Sequence, residues 1–85
     1  MNRIVNITSK PARQILDAHQ LGAATLIDEA GELRIFLHAE PGSAMAVHMA
    51  TSELEAATSR VVQISTRESL NPAEQAQLDR VGTVI

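Results

Sequence analysis

The chain has 85 residues and a mass of 9.1 kDa, is 45% apolar and 20% charged, and carries a net charge of −3 with a pI near 5.5. It contains no Cys, Trp or Tyr and a single aromatic residue, Phe36. These counts exclude a disulfide framework, a thiolate nucleophile and a Cys-based zinc site, and the acidic balance is the reverse of the basic footprint of most nucleic-acid binders. No apolar run approaches the length of a membrane span, and the first residues lack the apolar core of a signal peptide, so a cytoplasmic protein is expected. A domain of this size buries only about 60% of its unfolded surface. Thirteen of its apolar residues are Ala, which bring little side chain to a core. Contact with a partner, or with a second copy, is a reasonable source of extra stability.

In chain order, the β-branched stretch Arg3–Thr8 predicts a short first strand. Ser9 and Pro11 then form a helix start, and Ala12, Ile15, Leu16 and His19 follow at helical spacing up to Gly22, which predicts a helix over 10–20. Ala24–Asp28 and Glu32–His38 are β-prone runs around Glu29, Ala30 and Gly31, the pattern of a hairpin. Glu40–Ser43 reads as a turn. The alternation of small and large residues over Ala44–Ala50 suits a third strand.

With Ala39 facing Ala44, that strand would place Phe36 opposite Val47, His38 opposite Met45 and Arg34 opposite Met49. Ser52 and Glu55 have capping-box spacing and predict a second helix, with Leu54, Ala57, Val61 and Ile64 continuing to about 63. The run over 61–66 is equally β-branched and competes as a strand. Asn71, Pro72 and Glu74 are the signature of a last helix, closed by Gly82, and 83–85 would form an edge strand or fray. The expected fold is one α+β domain over 1–85, of order β-α-β-β-β-α plus a short C-terminal helix. Its core is a three-stranded antiparallel meander packed with two helices, with Arg3–Thr8 as a fourth strand and 66–85 as a docked helical tail.

Chemistry is sparse. His19, His38 and His48 titrate near neutrality, but no two share the i, i+4 spacing of a helical metal site, and each reads as a packed or surface histidine. Asp28, Glu29 and Glu32 surround a turn tip, and Glu53 and Glu55 a helix start, where the helix dipole accounts for acids. No nucleophile elbow or phosphate-cradling loop is present. The expectation is no catalysis, no metal and no cofactor.

Six of the seven basic residues are Arg, and Arg3, Lys10 and Arg13 near helix 1 are candidate phosphate contacts. The element order over residues 3–63 resembles that of double-stranded-RNA-binding domains (α-β-β-β-α) and of the ribosome-hibernation-factor fold (β-α-β-β-β-α). That resemblance implies nucleic-acid binding as the alternative function. It rests on order alone, and the second helix, which is strongly basic in those families, opens here with Ser52, Glu53, Leu54 and Glu55.

The leading expectation is a non-catalytic interaction or regulatory module that binds a protein partner stoichiometrically and dimerises. Inhibitors, antitoxin-like proteins and accessory proteins of phages, plasmids or bacteria share this profile. Phe36, Met45, Val47 and Met49 are the predicted contact face, with Arg34 at its rim. Contact would be made by that sheet face or by strand pairing at an exposed edge.

Overall fold

The computed structural model describes the backbone of residues 3–29 and 31–85, and the side chains of 10–29 and 31–85. Among the described residues, three helices and four strands follow one another as α1 (Arg3–Ala18), β1 (Ala24–Glu29), β2 (Glu32–Leu37), α2 (Ala44–Thr58), β3 (Val61–Thr66), α3 (Pro72–Val81) and β4 (Thr83–Val84), with a 3-10 turn at Arg67–Ser69. The fold is the expected α+β class, built on one mixed sheet of order β3-β2-β1-β4.

The hairpin forms where Gly31 supplies φ +80°. Its antiparallel register runs from Ala24–Leu37 to Glu29–Glu32; Ala30 lies outside the described residues. β3 runs parallel to β2, from Glu32–Val61 to Leu37–Thr66, so α2 is the crossover of a β-α-β unit. The expected last helix is present. Asn71 accepts from the Glu74 N–H at 2.8 Å and Glu74 accepts from the Asn71 N–H at 3.0 Å, a complete capping box. Gly82 donates to the Leu78 carbonyl at 2.8 Å, and the residues after it form the edge strand.

Three elements differ from the sequence reading. Residues 44–50 are helical, not a third meander strand. Ala and Met are strong helix formers, and Ser43, with extended backbone, accepts the Ala46 N–H at 3.3 Å and caps α2. Val47, Ala50 and Leu54, at helical spacing, form its inner face, and Ser52 with Glu55 falls mid-helix. Residues 61–66 are a strand, not the end of a helix. α2 stops at Thr58 because Ser59 is left-handed, with φ 57°, and donates to the Glu55 carbonyl. The Val-Val-Gln-Ile-Ser-Thr run that follows is costly in a helix and favourable beside β2. Residues 3–8 have helical backbone as the start of α1, which carries Pro11 inside it. Strand propensity yields to context there, and the outer edge of β1 belongs to β4. The resulting order, α-β-β-α-β-α-β, does not match either family that the element order had resembled.

α1 ends differently from the expected Gly22 cap. Gln20 takes the left-handed conformation, and the Leu21 N–H donates to the Leu16 carbonyl at 2.9 Å. This is a Schellman closure, with both leucines buried.

Alternation along the strands sorts the residues into two layers. Ala24 and Leu26 of β1, Leu33, Ile35 and Leu37 of β2, and Val62 of β3 meet Ala12 and Leu16 of α1 and Ala50 and Leu54 of α2 in one core. The opposite face carries Thr25, Ile27, Arg34 and Phe36 and is overlain in part by α3 through Leu78. Among the described residues no helix is long and apolar enough to cross a membrane.

Candidate functional site

The two edges of the sheet are unequal. β4 has two residues, and just beyond it Ile85 and Ala24 exchange backbone hydrogen bonds at 2.8 and 3.2 Å. β3 has six residues and pairs on one side only. The Val61 N–H reaches inward to the Gly31 carbonyl at 3.4 Å, whereas the Val62 N–H is taken by the Glu55 carboxylate at 3.2 Å. Because successive residues of a strand turn to opposite sides, residues 61, 63 and 65 serve β2, and residues 62, 64 and 66 face outward.

Two outward groups are satisfied inside the chain: the Val62 N–H by Glu55, and the Thr66 carbonyl by the Ser69 hydroxyl at 2.7 Å. Between Val61 and Thr66 there is no charge, proline or glycine, and Val61 is 57% exposed. Natural sheets guard long edges with lysine, proline or bulges, and β3 has none of these.

The cations at its ends are engaged. Arg60 pairs with Asp28, a carboxylate only 9% exposed whose Oδ2 is buried without a hydrogen-bond partner among the described residues. Arg67 holds Asp79 through two nitrogens, with Nε to Oδ1 at 3.1 Å, and donates to Gln75 at 3.2 Å. That hydrogen bonding to Arg67 keeps the Asp79 carboxyl below the usual carboxylate range against an opposing desolvation effect, and raises the Arg67 guanidinium in turn.

On the far face, Ile27, Phe36, Leu70 and Leu78 floor a cleft of about 180 Å³, with Arg34, Glu74 and Gln77 beside them. The Arg34 guanidinium lies 5.2 Å from the Phe36 ring centroid, within cation–π range. The cleft is smaller than ordinary small-molecule sites, which start near about 300 Å³, and Glu74 already spends one oxygen on its capping box.

The structure does not bring the predicted contact residues onto one face. Phe36 is buried beneath α3 with Arg34 beside it. Val47 turns inward against the core. Met45 and Met49 are 65% and 47% exposed on α2, which packs on the other side of the sheet. Of the candidate phosphate contacts, Lys10 is exposed, and Arg13 is committed to Asp17 and to the Gly22 carbonyl, both at 2.7 Å. The Arg3 side chain lies outside the described residues.

His19 bridges α1 to Glu53 of α2 at 2.8 Å, and His38 meets the buried Thr25 hydroxyl at 2.7 Å. Among the described residues, no three potential metal ligands converge. The feature that sequence reasoning placed in a helix is the β3 edge. Its signal was present in the β-branched run over 61–66. Compared with protein-family models, curated proteins and solved structures, the chain matches none.

Proposed function

We propose that this chain is a non-catalytic interaction module, a cytoplasmic regulator or inhibitor of the accessory-protein kind, that binds a protein partner stoichiometrically by strand addition at β3. One observation carries the reading: a six-residue, uncharged strand with a single neighbour and four of its six outward backbone groups unpaired among the described residues. Backbone donors and acceptors at such an edge are a template for another extended segment, with affinity from main-chain bonds and selectivity from alternate side chains. The shallow far-face cleft, the engaged cations and the dispersed histidines offer no comparable constellation for catalysis.

Paired capture from an extract of the source cell tests the reading, with the native chain against two edge variants. Ile64→Pro deletes an outward N–H and leaves the β2 ladder bonded. Gln63→Lys with Ser65→Lys places charge on exposed edge positions. Both variants are first checked for a native circular-dichroism spectrum. Proteins retained by the native chain and lost with both variants support strand addition. An identical set of captured proteins in all three overturns it.

A further inference from the structure

We propose that the occupant of the β3 edge is a second copy of this chain, paired antiparallel about a two-fold axis at Ile64. The proposal rests on the strand-addition reading and adds to it the partner and the register. Its basis is the pattern of outward groups that the chain leaves open. With the Val62 N–H held by Glu55 and the Thr66 carbonyl held by Ser69, the remaining outward groups are the Val62 carbonyl, the Ile64 N–H, the Ile64 carbonyl and the Thr66 N–H. These are two donors and two acceptors, and they are complementary to their own copy.

In an antiparallel pair, opposed residues that face one another exchange two hydrogen bonds. A two-fold axis perpendicular to the sheet keeps each side chain on its own face, so only residues of like alternation can stand opposite. With the axis at Ile64, that residue faces its counterpart and both bonds form. Val62 then faces Thr66 of the second copy, and the Thr66 N–H reaches the Val62 carbonyl, twice by symmetry. The second bond of that pair would join the Val62 N–H to the Thr66 carbonyl, the two groups already satisfied within each chain. Every open group is thus matched with an open group, and the held groups face only one another.

Other registers fail on the same groups. An axis at Gln63 sets Val62 against Ile64 of the second copy. It sets the open Ile64 carbonyl against the Val62 N–H that Glu55 holds, and it sends Thr66 past the start of the strand, opposite Arg60. An axis at Val62 or at Thr66 sets an already satisfied group against an open one of the second copy.

The side chains agree with the Ile64 axis. Half-buried Ile64 meets its own copy at the border of the main core. On the far face, exposed Gln63 meets exposed Ser65, and no charged residue lies between 61 and 66 to oppose its like. The two four-stranded sheets become one continuous sheet with β4 at each end, and the longest edge of the molecule disappears.

The chain has no native cysteine, so introduced cysteines report the register cleanly. Gln63→Cys and Ser65→Cys are made as separate variants at exposed positions. Opposed residues of a non-hydrogen-bonded pair lie with Cα atoms about 4.5 Å apart, within disulfide reach. Under mild oxidation, the mixture of the two variants should give severalfold more cross-linked dimer than either alone. Light scattering of the native chain should report twice 9.1 kDa, and Gln63→Lys with Ser65→Lys should return it to the single-chain mass while keeping the fold.

A native chain that stays at 9.1 kDa at several hundred micromolar overturns the second copy as occupant; loss of captured proteins in the edge variants would then leave strand addition standing, and identical capture would remove it as well. A dimer that cross-links through Gln63→Cys alone overturns the Ile64 axis. A dimer that ignores both cysteines and the lysine pair lies elsewhere on the molecule and overturns the proposal.

Discussion

On the face covered by α1 and α2, Leu26, Leu33, Ile35 and Leu37 are buried against Leu16, Ala50 and Leu54, with the Asp28–Arg60 pair at the hairpin end, whereas the face under α3 buries Thr25 and Phe36 beside Arg34 and an open cleft. The first layer has two helices of 16 and 15 residues above it, and the second a single helix of 10. The difference divides the labour of the domain. The α1/α2 layer supplies the cohesion expected of a thin-cored chain, and its alanines allow close helix approach. The far layer is held by a few specific contacts, with Gly82, the Asn71 capping box and the Arg67–Asp79 pair at its margins. The β3 edge belongs to both layers, since Val62 enters the main core while Val61, Gln63 and Ser65 line the far face.

The contrast breaks most readily in the main core. Leu54 is fully buried, and Leu54→Ala should cost stability toward the upper part of the about 2–5 kcal/mol range for such truncations. That is a large share of the stability of a small domain, so urea denaturation should show a midpoint near zero or a lost transition. Leu78→Ala, at the equivalent position of the far layer, should cost about 2 kcal/mol, the lower end of that range, because the adjoining cleft lets the site relax. A greater loss for Leu78→Ala than for Leu54→Ala in the same titration would invert the ranking of the two layers.

A sharper separation comes from Gly82. A Cβ there would lie 2.4 Å from Thr25 Cγ2 and 2.8 Å from the Leu78 carbonyl, so side chain and helix end must both shift. Gly82→Ala should cost about 1–2 kcal/mol by overpacking. The loss should be local. Amide exchange should quicken in α3, β4 and the outer side of β1, while the β2–β3 ladder keeps its protection; uniform quickening would mean that the layers unfold as one.

The two layers also differ in how far they could be read from sequence. The hairpin and the last helix rest on local chemistry, Gly31 in one and Asn71, Pro72 and Glu74 in the other, and both stand. α2 was legible only in part. Ala44–Ala50 fits a period of 2 as well as 3.6, because alanine marks neither face, and the residue that starts the helix is Ser43 and not Ser52. β3 was ambiguous for the same reason, since Leu54, Ala57, Val61 and Ile64 also satisfy a helical spacing.

What no local pattern could supply is the parallel pairing of β2 with β3, which brings residues 29 positions apart, such as Glu32 and Val61, into register. The grouping of Phe36 and Arg34 with Met45 and Met49 depended on a third strand, and it dissolves once that strand is α2. The neighbouring pair Arg34 and Phe36, two apart on one strand, survives because the alternation that joins them is local.

The smallest expected effect concerns the margin of the far layer and its response to acid. Arg67, just after β3, clasps Asp79 on α3, and this hydrogen bonding lowers the Asp79 carboxyl below its ordinary value, with a lesser contribution from His38. A carboxyl whose folded value is depressed gives stability that is complete above its unfolded value, near pH 4, and is lost as pH falls through the lower folded value. Both partners are solvent-accessible, so screening keeps the effect small. Asp79→Asn should therefore lower stability slightly at pH 7, and the gap from the native chain should close as the solution is acidified below about pH 4. Thermal melts of both proteins between pH 7 and pH 2.5, at low and high salt, measure it. A gap that persists at the acid end would show that Asp79 supports α3 by packing or by a neutral hydrogen bond and not through its charge.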